Sequence, residues 1–303
     1  MLIKLTKSNP IWGYVVLVVF CFLLSLKEWF FCNSSFVFEH AAVAGIILLC
    51  SIFLTIIVRN QALSKNFIIS GLFLIILYFS DPFFGDTKSA LQLALKMFVA
   101  IIAFFYLLRS FDKISGYVSL FNGAFLFSCI SVFDPVFIFA LPFIWITLLV
   151  YSDNNYRSWI ISLMAIFLPY LIYFSFYFLV DDLLSVGAAF DKFFNMSVFA
   201  FSEWDNAFIL PIIEFAIGII AFIGQIKNLR GDIVYRKKTA LFLVAFIYFS
   251  LFAVLFYNQS AAHIVLPVVT AFLTGKYFHY AKKSWIAETV LWGLIISTCI
   301  LCF

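Results

Sequence analysis

The 303 residues carry 19 Lys and Arg against 15 Asp and Glu; 65% of the chain is hydrophobic and only 11% charged, less than half the charged share of soluble domains. A water-soluble globule is therefore excluded. The net charge of +4 is no nucleic-acid footprint either, because what matters in such a chain is where the charges sit along it.

Read in order, Lys4 and Lys7 precede a first apolar run, 11–30, with no small-residue cleavage site after Leu26, so this run is expected to be retained as a signal-anchor. Further spans are expected at 41–58, 67–80 and 90–108, separated by an outer loop through Glu39 and His40, an inner loop with Arg59 and Lys65, and an outer loop from Asp81 to Lys88. Spans at 116–132 and 136–151 flank Phe133-Asp134-Pro135. At 1.5 Å per residue they barely cross a hydrocarbon core of about 30 Å, so this pair either sits inside the assembly of helices or forms a re-entrant hairpin. A span at 159–180 leads to the longest outer segment, Asp181 to Asn206, where Val186, Phe190, Phe193, Phe194 and Phe201 recur at helical spacing, the pattern of a helix lying in the interface. Spans at 207–225, 239–257, 262–276 and 285–303 complete the count, with the most basic loop, Lys227 to Lys238, on the inner side. The expectation is an all-α integral membrane protein, a single polytopic domain of about eleven transmembrane helices with a cytoplasmic N-terminus in a bacterial inner membrane.

With this topology, all of the nineteen Lys and Arg except Lys27, Lys88, Lys96 and Lys192 fall on the cytoplasmic side, as the positive-inside rule requires. The acids sort the other way. Glu28, Glu39, Asp81, Asp86, Asp134, Asp181, Asp182, Asp191, Glu203 and Asp205 lie on the outer side, either because cations are excluded there or because several carboxylates share one mouth. Clustered carboxylates can serve as a general base or hold a divalent cation through hard oxygen ligands; Asp86 and Asp134, in tight loops, are the stronger candidates. Lys96, inside a span, either snorkels outward or meets an anionic head group. Glu214, deeper in its span, would favour transport if it faced a water-filled path, although no inverted repeat is visible. Cys299-x-x-Cys302 ends a span with no second pair beside it, so it is no metal or redox signature. The three His, His40, His263 and His279, are divided between the two faces, which excludes a four-His iron site. No GxSxG, HExxH, Walker A or GxGxxG stretch occurs, which argues against soluble-type hydrolase or nucleotide chemistry.

Leu108-Arg109-Ser110, Phe121-Asn122-Gly123-Ala124, Phe133-Asp134-Pro135, Asn155-Tyr156-Arg157 and Phe167-Leu168-Pro169 together resemble the middle of the C-type, polyprenyl-phosphate-sugar-dependent membrane glycosyltransferases. Gly85-Asp86-Thr87 upstream and His263-Ile264-Val265-Leu266-Pro267 downstream extend the likeness. Ser8-Asn9-Pro10 and Tyr156-Arg157-Ser158-Trp159 give the whole chain a narrower resemblance to an uncharacterised family of multi-pass inner-membrane proteins of Bacteroidota. The wider resemblance implies handling of a lipid-linked sugar at the outer leaflet, with an acid (Asp86, Glu39 or Asp134) acting on the acceptor or holding a cation, and Lys88, Lys96 or His263 facing the phosphate. It departs from that pattern in the first outer loop, about ten residues from Phe31 to His40, where C-type enzymes carry their catalytic acid on a loop of tens of residues. The competing class is a transporter, or a scaffold subunit of an envelope complex. Membrane lipids are the one partner common to both.

Overall fold

The computed structural model describes residues 10–31, 37–60, 67–80, 87–110, 116–134, 137–138, 141–150, 155–180, 209–227, 233–255, 260–280, 288–289 and 292–293. Among them are ten helices and no strand: α1 Pro10–Phe31, α2 Val37–Asn60, α3 Phe67–Ser80, α4 Thr87–Arg109, α5 Gly116–Phe133, α6 Pro142–Val150, α7 Tyr156–Leu179, α8 Ile209–Lys227, α9 Ile233–Leu255 and α10 Ser260–Tyr280. They correspond one to one with the first ten expected spans. The eleventh, 285–303, falls almost wholly outside the described residues. Among the described residues, four stretches are long and apolar enough to cross a membrane: His40–Arg59, Ala90–Arg109, Gly116–Phe133 and Tyr156–Leu179.

Several helix boundaries differ from expectation, each for a local reason. Pro10 and Pro142 each stand at the first helical position, where a missing N–H costs nothing and φ is already set. The sixth span, expected over 136–151, therefore narrows to the nine residues of α6. Glu39 lies in the first turn of α2 and so leaves the expected outer loop, whereas Glu28 stays inside the first helix, within the expected span. Lys88 likewise joins the first turn of α4. Arg236, Lys237 and Lys238, expected in a loop, belong to the start of α9.

The chain divides into two compact units. The first comprises Met1–Phe98, Trp204–Arg230 and Pro267–Phe303; the second comprises Val99–Glu203 and Gly231–Leu266. In the first, α3 is buried on every side, with 68–79 wholly covered, as expected of a helix that is apolar all round. Glycines let its neighbours approach: a Cβ at Gly13 of α1 would overlap the Ile68 side chain, and one at Gly71 would lie 2.6 Å from Thr55 Oγ1 and 3.0 Å from the Ser51 carbonyl of α2. On α4, the Ala90 carbonyl accepts from Tyr78 of α3 at 3.0 Å, and the Phe53 and Phe98 rings meet across α2 and α4 with centroids 6.0 Å apart.

The second unit has an aromatic centre. Phe104 of α4 lies with ring centroids 5.4 Å from Phe127 of α5, 5.9 Å from Phe143 of α6 and 5.8 Å from Phe242 of α9, and all four rings are buried. Around it, α5 and α7 run parallel and in register. Tyr117 pairs with Asn155, Ser128 with Ile166 and Ser131 with Tyr170. Small and polar residues are frequent on their buried faces, Ser119, Gly123, Ala124, Ser128 and Ser131 on α5 and Ser158, Ser162, Ala165 and Pro169 on α7, beside the larger Leu120, Phe127, Ile130 and Ile166. The exposed side of α7 is instead apolar, including Ile160, Met164, Phe167 and Leu171. This inverts the rule for helices in water and follows the rule for helices in lipid, where close contact of small residues holds the pair and bulky apolar groups face the acyl chains.

Candidate functional site

The break between α5 and α6 is built by three consecutive tight turns. Asp134 donates its backbone N–H to the Ile130 carbonyl at 2.9 Å, which continues α5 by one residue. Phe137 N–H then donates to the Asp134 carbonyl at 2.9 Å, Leu141 N–H to the Ile138 carbonyl at 3.0 Å and Ile144 N–H to the Leu141 carbonyl at 3.0 Å. The Phe137 and Phe143 rings both pack on Phe127, 6.3 and 6.4 Å between centroids. The chain thus folds back on α5 before α6 starts. Because Tyr117 and Asn155 are neighbours, the chain between Asp134 and Asn155 returns to the end of α5 at which that helix began. A nine-residue helix covers only about 13 Å of that stroke, and the turns closed at Phe137 and Leu141 lie outside any α-helix. Such backbone is tolerated at membrane depth where protein covers it, and Asp134, Phe137 and Leu141 are all buried.

Asp134, only 6% exposed, sits at the C-terminal end of α5. Next to it along the chain, Phe133 lines a groove of about 430 Å³ between the C-terminal halves of α5 and α7, within the usual range for small-molecule pockets. Phe125, Cys129 and Phe133 line one wall; Pro169, Tyr173 and Tyr177 line the other. Pro169 supplies no N–H to its own helix, and the turn before it is tied across instead: Ser128 Oγ donates to the Ile166 carbonyl at 2.6 Å, and Ser131 Oγ donates to the Ser128 carbonyl and meets Tyr170 Oη, each at 2.7 Å. Replacing Ser128 by alanine should cost about 0.6 kcal/mol, the usual worth of a hydrogen bond between membrane helices. Thermal melting of the purified protein would read that loss as a small downward shift.

The other expected site residues are placed only partly. Asp86 lies outside the described residues. Glu39, Lys88 and His263 occupy the first turns of α2, α4 and α10, and their side chains lie outside the described set. Lys96 is half-buried on α4, nine residues and about 13 Å along the helix from its start. By unit, Glu39, Lys88 and Lys96 belong to the first and Asp134 and His263 to the second. Among the described residues no three His, Cys, Asp or Glu side chains come together as a cation site. Sequence reasoning missed the groove and the depth of Lys238, which is 7% exposed. Pro142 was the legible signal for the shortened α6; the groove had none, because it depends on how α5 and α7 register.

No curated protein and no solved structure matches the chain. One family model does, over residues 1–303. With its whole length covered, the chain belongs to the family of unknown function DUF6427.

Proposed function

We propose that the protein is a polytopic inner-membrane protein with a cytoplasmic N-terminus, a single membrane domain that handles a polyprenyl-phosphate-linked sugar at the outer leaflet. The observation that carries this reading is the apolar groove between α5 and α7, which is lined by Phe133, the chain neighbour of the buried Asp134, and has the exposed Ile172 and Phe176 at its margin. A long hydrocarbon chain can enter such a groove sideways from lipid. Its phosphate-sugar end would then lie near Asp134, the carboxylate proposed to deprotonate an acceptor or hold a divalent cation. Asp86 and Glu39 are the other acids proposed for that role. Within each unit a cation would neutralise the charge that develops on the leaving phosphate, His263 where Asp134 is the acid and Lys88 or Lys96 where Asp86 or Glu39 is, the usual electrostatic help for such transfer.

A second reading, a non-catalytic scaffold or transport subunit, draws on the bulky apolar side of α7, which could receive a helix of an envelope partner. Lipid extracts separate the two. A deletion strain should accumulate a polyprenyl-phosphate sugar, and complementation with Asp134→Asn should not clear it. An unchanged lipid profile in the deletion strain would overturn the enzymatic reading.

A further inference from the structure

The opposite end of the second unit carries different chemistry, independent of what the groove handles. There α4 stops, and α5 and α7 start. The Ser110 carbonyl stands 2.9 Å from where a Gly116 Cβ would be, so the turn after Arg109 lies directly on the beginning of α5. Asn155 joins α5 to α7 with both ends of its amide, Nδ2 donating to Tyr117 Oη and Oδ1 accepting from the Arg157 N–H at 3.2 Å. This holds the first turn of α7 beside Tyr117. Arg109 and Arg157 are both exposed at this end, whereas the described carboxylate of the unit, Asp134, is at the far end of α5.

Along α7 the exposed residues follow a fixed order. Tyr156 and Arg157 come first, then Ile160 and Met164 one and two turns further on the Arg157 stripe. Tyr117 stands exposed beside them on α5. Cation, interfacial aromatic and aliphatic side chain succeed one another in the order in which a phospholipid presents phosphate, glycerol and acyl chain. We propose that this end of the second unit binds the headgroup of an anionic phospholipid of the cytoplasmic leaflet, with Arg157 and Arg109 meeting the phosphodiester and the α7 stripe receiving an acyl chain. Charge complementarity selects the occupant: a zwitterionic headgroup presents these two arginines with no net charge, while an anionic one does.

The test uses the full chain in phosphatidylcholine nanodiscs titrated with phosphatidylglycerol, the protein-retained lipid being extracted and quantified against the bulk. The wild type should hold phosphatidylglycerol above its bulk share. Arg157→Gln should lower that enrichment about fivefold, and adding Arg109→Gln should lower it by a similar factor again. Arg157→Lys should keep part of it, since charge persists while the bidentate fork is lost. Arg59→Gln, the same charge change at the end of α2, should leave it intact, and melting curves will show that the variants remain folded. Retention in proportion to the bulk in the wild type, or an equal loss in Arg59→Gln, overturns the proposal. So does saturable binding of inorganic phosphate in pure phosphatidylcholine nanodiscs, which would make this a site for free phosphate.

Discussion

Replacing Gly275 by leucine should destroy the stability of the first unit. Gly275 of α10 faces Ser70 of α3 so closely that a single methyl would overlap Ser70 Oγ and lie 2.9 Å from the Ser70 backbone N and Cα. A side-chain tip can rotate aside, but backbone cannot, so α3 itself would have to move. It has no room to do so, because 68–79 are covered on all sides and 264–275 of α10 likewise. Overpacking usually costs about 1–3 kcal/mol, and one that displaces a central helix should reach about 3 kcal/mol or more. Even alanine should be visibly destabilising at this position. Gly45 provides the contrast, since nothing lies within 4 Å of a Cβ built there; Gly45→Ala should stabilise α2 by about 0.5–1 kcal/mol through helix propensity alone. Melting of the two alanine variants and the leucine variant in one detergent would check the order, and equal stability of Gly275→Ala and wild type would refute the packing described here.

Phe104→Ala should be the corresponding lesion in the second unit. Its ring is shared by α4, α5, α6 and α9 through Phe127, Phe143 and Phe242, with the Phe242 ring nearly parallel to it at 17° and the Phe127 ring nearly perpendicular at 81°. A soluble core would lose about 3–5 kcal/mol for such a truncation. Inside a bilayer the transfer part of that figure is small, because lipid is as apolar as the core, and the loss is the cavity and its missing dispersion contacts. A loss of about 3 kcal/mol is therefore expected, measured as reduced thermal stability. Phe133→Ala, at a ring 78% exposed, should change little in the same assay and marks the difference between a packed and a lipid-facing phenylalanine.

The positions of the helices were legible in the sequence because a bilayer demands long uncharged runs, and ten such runs became α1 to α10. Their ends were less legible. The run from Val136 to Tyr151 reads as one span by hydropathy, yet Pro142 and the buried turns after Asp134 leave only a half-length helix. Faces were the least legible feature. In α5 the buried positions include Ser119, Gly123, Ser128 and Ser131, residues that a reading tuned to soluble proteins would turn outward. Of the candidate site, the sequence singled out Asp134 as a carboxylate in a tight loop, but neither its burial nor the groove beside it.

What the chain alone determined is the alternation of apolar runs and charged breaks. It follows from the cost of placing charge in hydrocarbon, which acts residue by residue along the sequence. What only the tertiary structure decided is which helices touch: α5 beside α7 in parallel register, α3 enclosed, Gly275 against Ser70, and a groove with an acid at one end. Those depend on the fit of side chains between helices equally soluble in lipid, a matter of shape that hydropathy does not record.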